Sequence, residues 1–240
     1  NLNFIGCDYF MTWGWKSKLS NSIISKMTKT FWLHNFNYNN NGHIMLVGGS
    51  CRRYHWSVYE GQLLKFNKTH ISKNISFLKK IDPKILNRLI YRFHAQYGFN
   101  EVLDVVNSIP EIKISLREDT SIDYYNLLYN SCLVINTSDY TANLQSLFIN
   151  IPTIWYWDKD YHTIREGSEV YYEKLYKAEI LFYEEDKFLN KINSVISDPM
   201  KWWCSAEVQS AKNYFCENFC KKSDDIENEI FKITKLIANN

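Results

Sequence analysis

Short apolar runs alternate with amphipathic segments through the middle of the chain. Runs typical of buried strands lie at 43–48, 89–94, 112–116, 132–136, 152–157 and 180–183. Segments with apolar residues at helical spacing separate them, at 57–80 with a break near 68–73, from Asp82 onward, and at 100–107, 121–130, 138–149 and 166–178. Strands and helices in alternation predict an α/β fold, a Rossmann-like doubly wound parallel sheet with right-handed crossovers.

Two of the predicted helices carry recognisable start signals. Asp82 followed by Pro83 is typical of an N-cap and a first helical residue. Ser121 is the expected N-cap of the helix over 121–130.

The two ends of the chain differ from its middle. Residues 8–15 predict an edge strand with a turn at Gly14, and the polar, Asn-rich stretch 20–43 predicts a surface connection. Helical patterns over 185–197, 205–221 and 224–238 complete the chain. We therefore divide it into an entry segment and linker (1–42), a Rossmann-like domain (43–200) and C-terminal helices (201–240).

Composition excludes several classes of protein. The 240 residues are 45% hydrophobic and 22% charged, which excludes intrinsic disorder. A net charge of +2 gives no support for nucleic-acid binding driven by phosphate neutralisation. There is no apolar stretch of transmembrane length and no signal-peptide pattern at the N-terminus. The aromatic content of 16% is high and indicates broad packing or stacking surfaces.

The cysteines indicate a reducing compartment. No CxxC occurs, and only Cys216 and Cys220 are close in sequence, at helical spacing. Neither pattern provides four convergent zinc ligands, so no metal site is expected. Reduced thiols predict a cytoplasmic location.

Candidate chemistry lies beyond the carboxyl ends of the predicted strands, where open parallel sheets bind ligands. Glycines, hydroxyls at a helix start, and Arg and His side chains suit a phosphate or carboxylate. The binding candidates from this edge are Gly49, Ser50, Arg92, His94, Tyr97, Arg117, Thr137, Ser138, Thr141 and Arg165.

Simpler interpretations stay open for several of these residues. Gly48 and Gly49 can form an ordinary tight turn, and Ser138 with Asp139 can cap a helix. Arg165 and Glu166 can form a surface pair in a helical region. The phosphate-loop, dinucleotide-binding and nucleophile-elbow motifs are all missing from the sequence.

Several segments together resemble a known group of enzymes. The stretch 131–166 is similar to the donor-binding core of GT-B glycosyltransferases, where a strand ends in a Thr/Ser loop, a helix follows, and a Pro-Thr strand comes next. More narrowly, the chain resembles a bacterial family of surface-polysaccharide and lipopolysaccharide sugar transferases. The segments that carry this likeness are Asp8–Trp15, His94–Gly98, Trp157–Glu166, Trp202–Gln209 and Phe215–Cys216.

This resemblance implies a glycosyltransferase, represented by the C-terminal, donor-binding half of a GT-B fold. The donor would be a nucleotide-sugar used as a substrate, with no further cofactor. Gln145 stands where the family usually carries a Glu that holds a ribose or sugar hydroxyl, so Gln145 joins the binding candidates. The resemblance assigns no catalytic residue.

The same resemblance sets the expected partners and location. The acceptor would be a saccharide or a lipid-linked sugar, at the inner face of the cytoplasmic membrane or free in the cytoplasm. The family has an N-terminal half that this sequence lacks, and the chain is expected to be inactive without it. Two alternatives remain open, a non-catalytic binding module and a polyol-phosphate transferase on the same scaffold.

Overall fold

The fold is built on a six-stranded parallel sheet. The structure is a computed structural model that describes residues 9–15, 22–25, 38–48, 64–93, 101–116, 123–160, 162–222 and 225–238. Its strands are β1 (Phe10–Thr12), β2 (Ser22–Ile24), β3 (His43–Gly48), β4 (Leu89–Phe93), β5 (Lys113–Ser115), β6 (Ser131–Asn136), β7 (Thr153–Tyr156) and β8 (Leu181–Phe182). The large sheet has the order β5-β4-β3-β6-β7-β8, and each neighbouring pair is parallel. In sheet terms this is 3-2-1-4-5-6, the Rossmann order, and it confirms the predicted fold class.

Helices lie on both faces of the sheet. In the described residues they are α1 (Leu64–Lys80), α2 (Pro83–Leu86), α3 (Glu101–Ser108), α4 (Tyr124–Tyr129), α5 (Thr141–Phe148), α6 (Glu169–Lys177), α7 (Glu185–Val195), α8 (Pro199–Trp203), α9 (Ala206–Phe219) and α10 (Ile226–Ala238). Alternate residues of a strand point to opposite faces. Ile44 and Leu46 accordingly join the core cluster that contains Phe77 of α1, whereas Met45 and Val47 join another.

Helix α1 contradicts the predicted break near 68–73, because it runs without interruption from Leu64 to Lys80. His70, inside the predicted break, and Asn74, just after it, are both buried. Their side chains hydrogen-bond to each other, and Asn74 also hydrogen-bonds to Tyr91 of the sheet. Because these buried polar groups have partners, they do not interrupt the helix.

Helix starts were predicted with mixed success. Asp82 caps α2 as expected, and its Oδ1 accepts a hydrogen bond of 2.7 Å from the Lys84 amide. The predicted cap at Ser121 is wrong, because α4 begins at Tyr124 and its N-cap position is Asp123, which makes no side-chain capping bond. Ser121 itself lies outside the described residues.

The N-terminal strand exists but does not lie at the edge of the large sheet. It pairs in parallel with β2, which falls inside the stretch predicted to be a surface connection. The Trp13 carbonyl accepts a hydrogen bond of 3.0 Å from the Lys221 amide, just beyond α9. Gly14 has a φ of 129°, and a Cβ there would lie 2.6 Å from the Glu217 carbonyl oxygen. Strands β1 and β2 therefore form a separate two-stranded ribbon, attached to the region after α9, and β1 is not an edge strand of the large sheet.

In the part of the chain that the structure describes, none of the helices is both long and apolar enough to cross a bilayer. The proposed division at residues 42 and 200 stays a prediction.

Candidate functional site

The centre of the sheet is where the strand order reverses, between β3 and β6. Just beyond these strands, the Thr137 amide donates a hydrogen bond of 3.2 Å to the Val47 carbonyl. The loop then runs through Ser138, which is buried, to α5. In doubly wound sheets this reversal opens a crevice at the carboxyl edge, so residues 137–141 lie at the expected ligand position.

Helix α5 begins later than the sequence pattern predicted, at Thr141. Tyr140 is its N-cap and makes no side-chain cap hydrogen bond. The Asn143 side chain braces the loop instead, with its Nδ2 donating a hydrogen bond of 2.6 Å to the Ser138 carbonyl. The amides of a first helical turn lack acceptors within the helix, so the start of α5 has the polarity of an anion site. Ser138 and Asp139 thus belong to the preceding loop and do not cap this helix.

Thr137 belongs to a buried polar cluster that joins α1 to the sheet. Asn74 donates from Nδ2 to the Tyr91 hydroxyl at 2.7 Å and to Thr137 Oγ1 at 3.2 Å. His70 Nε2 lies 3.3 Å from Thr137 Oγ1 and 3.2 Å from Asn74 Nδ2. All four side chains are buried, and this network fixes the first residue of the loop.

Burial determines the protonation of this cluster. It lowers the pKa of His70 to about 4, and it raises the pKa of the Tyr91 hydroxyl well above its usual value. His70 is therefore neutral at physiological pH, with its Nε2 suited to accept a hydrogen bond from Thr137. These groups position the loop.

Arg92 and Gln145 both lie in the protein interior. Arg92 Nη1 donates to Ser115 Oγ at 2.7 Å and also to the Leu116 carbonyl, which ties β4 to the end of β5. Gln145 lies one turn after Thr141 on α5, and its Nε2 donates to the Tyr125 hydroxyl at 3.2 Å. Residues four apart on a helix share a face, so Thr141 and Gln145 line the same side of α5.

The remaining candidates lie apart from this group. Arg165 is exposed in the bend before α6, which corrects the expectation of a helical region there. Gly49, Ser50, His94, Tyr97 and Arg117 lie outside the described residues. The structure thus brings Thr137, Ser138, Thr141 and Gln145 together in one segment.

A second group of titratable side chains follows β7. Asp158 pairs with Lys73 of α1. His162 stacks on Trp157 with ring centroids 5.0 Å apart, and its Nδ1 lies 3.1 Å from the Asp158 carbonyl. Burial lowers the pKa of His162, against the opposing effect of the Asp139 carboxylate.

An aromatic cavity opens beside the start of α5. It encloses about 270 Å³ between the Trp13–Trp15 turn, the loop after β6, the end of β7, α6 and α9. Trp155 and Trp157 form part of its wall, stacked with centroids 5.1 Å apart. Asp139, Thr141 and Asn143 contribute polar groups.

Sequence reasoning missed the roles of His70, Lys73 and Asn74. Polar residues three or four apart within an apolar helix pattern are the available signal, and the same pattern also suits a break in the helix. Trp13 and Trp15 carried the family resemblance, but nothing in the sequence placed them at a cavity wall.

No cluster of three or more metal-ligating side chains occurs among the described residues.

Comparison with known protein families identifies one that matches most of the chain. A family model described as LIC12162 family transferase matches residues 2–233. No protein of curated function matches the sequence.

Solved structures give weaker likenesses. The MnaA–UDP structure from S. aureus has 14% identity and a TM-score of 0.48, covering 93% of this chain and 55% of that one. The UDP-GlcNAc 2-epimerase of Neisseria meningitidis bound to UDP-GlcNAc has 12% identity and a TM-score of 0.43, covering 84% and 45%. The catalytic domain of cholesterol-alpha-glucosyltransferase from Helicobacter pylori has 12% identity and a TM-score of 0.38, covering 73% and 96%.

These scores all lie below 0.5, so the fold assignment rests on the strand order itself. The chain spans about half the length of the first two of these proteins.

Proposed function

We propose, because the chain belongs to the LIC12162 family of transferases, that it takes part in sugar transfer from a nucleotide-sugar to a saccharide acceptor. The acceptor would belong to a surface polysaccharide or lipopolysaccharide, as the family resemblance implies. Family membership supports the transfer of a chemical group. That this group is a sugar is our proposal.

One observation carries the proposal, the start of α5 at the reversal point of the sheet. Thr141 is the first residue of this helix, and it follows a loop anchored by the hydrogen bond between Thr137 and Val47. The first two amides of a helix and the helix dipole both favour a phosphate group at such a place. The donor diphosphate would bind there, with Ser138 and Thr141 beside it.

Gln145 supplies a contact for the sugar part of the nucleotide. It lies on the same side of α5 as Thr141, and its amide is held by Tyr125. An amide oxygen accepts a hydrogen bond from a ribose or sugar hydroxyl without adding negative charge near the phosphates.

Transfer of the sugar leaves a nucleoside diphosphate or, from a CMP-sugar, a monophosphate, so the main catalytic need is to stabilise that leaving group. The positive end of the α5 dipole would carry part of this task. Gly49, Ser50, Arg92, His94, Tyr97, Arg117 and Arg165 stay in the proposal as further donor contacts. A cytoplasmic site facing the inner side of the membrane would give access to lipid-linked acceptors.

Calorimetric titration of the full chain with UDP-, GDP-, CMP- and CDP-linked sugars tests this function. We expect one nucleotide class to bind. The sharpest variant is Thr141→Pro, because proline is tolerated at the first helical position and removes one amide donor. It should weaken binding by about tenfold or more, as expected for a hydrogen bond to a charged group.

The matched control is Ala206→Pro at the exposed first position of α9, where the preceding residue Ser205 is also extended. Donor affinity should not change in that variant. If no nucleotide-sugar binds to the folded chain, the proposal is wrong. Preferential binding of CDP-glycerol or CDP-ribitol would instead indicate a polyol-phosphate transferase.

A further inference from the structure

The aromatic cavity beside α5 has the dimensions of a site for one small ring. Its volume of about 270 Å³ lies just below the range of roughly 300–1,000 Å³ found for drug-sized ligands. Eight of its twelve lining residues are aromatic. Such walls suit a ligand with an apolar face.

The walls are held in place before any ligand arrives. Trp157 lies between Trp155 and His162, with both neighbours stacked on it. Phe215 of α9 meets Trp155 edge-on at 5.4 Å, and Tyr172 of α6 meets Phe215 edge-on at 5.3 Å. A ligand would therefore lose little binding free energy to ordering of these rings.

Polar atoms without partners belong to the same lining residues. Asn143 Oδ1, Trp155 Nε1 and Trp157 Nε1 are buried and have no hydrogen-bond partner. Asn143 is only 3% exposed, and its other amide atom is already committed to the Ser138 carbonyl. Buried unpaired groups are rare in native proteins, and these three belong to residues that line one cavity. A ligand that reaches them would need both donors and acceptors.

Charge decides between the ligands that fit an aromatic cavity. Among the described residues that line it, the one charged group is the Asp139 carboxylate. A carboxylate repels phosphate and accepts hydrogen bonds from hydroxyls. A quaternary ammonium would suit the rings and the charge, but it would offer nothing to Asn143 or the indole N–H groups.

We propose that this cavity binds a single neutral sugar ring of the saccharide acceptor. The apolar face of the ring would contact Trp13 or Trp15, and its hydroxyls would face Asp139 and Asn143. This inference rests on the proposed function, because it places the acceptor ring beside Thr141, where the donor phosphates are proposed to bind.

The test measures binding of neutral methyl glycosides to the full chain by saturation-transfer NMR and calorimetry. We expect at least one methyl hexoside or methyl N-acetylhexosaminide to bind in the millimolar range. Trp15→Ala and Asp139→Asn should each weaken that binding by about fivefold to tenfold. Asp139 is exposed, so its variant keeps the fold if replacement of Trp15 disturbs it.

Matched controls lie away from the cavity. Phe231→Ala removes an exposed aromatic ring on α10, and Asp104→Asn removes an exposed carboxylate on α3. Neither should change glycoside binding. Absence of binding by all the glycosides to the folded chain, or equal binding by the Asp139→Asn variant, would overturn the inference.

Donor titrations separate this inference from the proposed function. The Asp139→Asn variant should bind nucleotide-sugar at least as tightly as the natural chain, because a repulsive charge is removed. If the variant lost nucleotide-sugar binding instead, the cavity would belong to the donor and the acceptor assignment would be wrong. Glycoside binding without any nucleotide-sugar binding would contradict the proposed donor site alone.

Discussion

The side-chain amide of Asn74, in the middle of α1, donates a hydrogen bond of 2.7 Å from Nδ2 to the hydroxyl of Tyr91 on β4. The Tyr91 ring in turn lies over Gly48, at the end of β3, and stacks on Phe93. One helix residue thus fixes the aromatic ring that covers the carboxyl end of the central strand. The loop after β6 shares this network through Thr137.

Asn74→Ala should lower the free energy of unfolding by about 1–3 kcal/mol, because Tyr91, Thr137 and His70 lose a buried partner. Urea unfolding followed by circular dichroism measures this. Asn193→Ala on the exposed side of α7 is the control and should change stability by less than about 0.5 kcal/mol. Equal stability of both variants would show that the network contributes nothing.

Gly48→Ala should be destabilising by about 1–3 kcal/mol, because the added methyl group overpacks a tight contact. Its Cβ would lie 2.4 Å from a Tyr91 ring carbon and 2.5 Å from the hydroxyl oxygen. Tyr91 is fully buried, so its ring has no open space to move into. Thermal unfolding measures the loss, with Ser194→Ala on exposed α7 surface as the control. An unchanged melting temperature would contradict the close approach.

Stability should fall as the pH drops from about 6.5 to about 4. Burial holds the pKa of His70 at about 4 in the folded chain, against roughly 6.5 when unfolded. In this window the unfolded chain binds a proton at His70 that the folded chain does not bind. The free energy of unfolding therefore falls by up to about 1.4 kcal/mol for each pH unit of acidification. Above the window the stabilisation is fully present.

Urea unfolding across that window, compared between the natural chain and His70→Gln, isolates this effect. The rest of the chain is common to both proteins, so the difference in slope reports on His70 and on its electrostatic interaction with His162. Parallel pH profiles would mean that His70 is not buried in its neutral form.

Asn150→Ala should lower the free energy of unfolding by about 3 kcal/mol or more. Asn150 has a φ of 63°, its carbonyl and Oδ1 atoms both accept from Trp203 Nε1, and Oδ1 also accepts from Lys212. Asn150→Gly loses the same Oδ1 contacts but tolerates the left-handed backbone, so it should retain about 1 kcal/mol more. Denaturant unfolding of the three proteins gives the comparison. A glycine variant no more stable than the alanine variant would rule out backbone strain.

The sheet was predictable because its central strands contain apolar runs, as in Cys132–Ile135, and such runs are typical of strands buried on both faces of a parallel sheet. The start of α5 was less predictable. Ser138 looks like a helix cap, but its carbonyl is taken by Asn143, five residues later, and the helix starts at Thr141.

The cavity could not be predicted for a different reason. It joins residues that are about 200 positions apart in the sequence, Trp15 and Phe215. No local pattern encodes such a meeting. The role of Asn74 was hidden in the same way, because its partners Tyr91 and Thr137 lie on β4 and in the loop after β6, far apart in the sequence.

The attachment of the Trp13 turn to the region after α9 has a consequence for synthesis. Trp13 and Trp15 are translated before all six strands of the large sheet, and α9 is translated after them. The Trp13–Trp15 side of the cavity is therefore made first, and the α9 side, with Phe215 and Phe219, is made only after the whole sheet. A polypeptide that stopped just before Ala206 would contain every strand and still lack the cavity. Binding competence would thus arrive late in translation, after the sheet has had the chance to form.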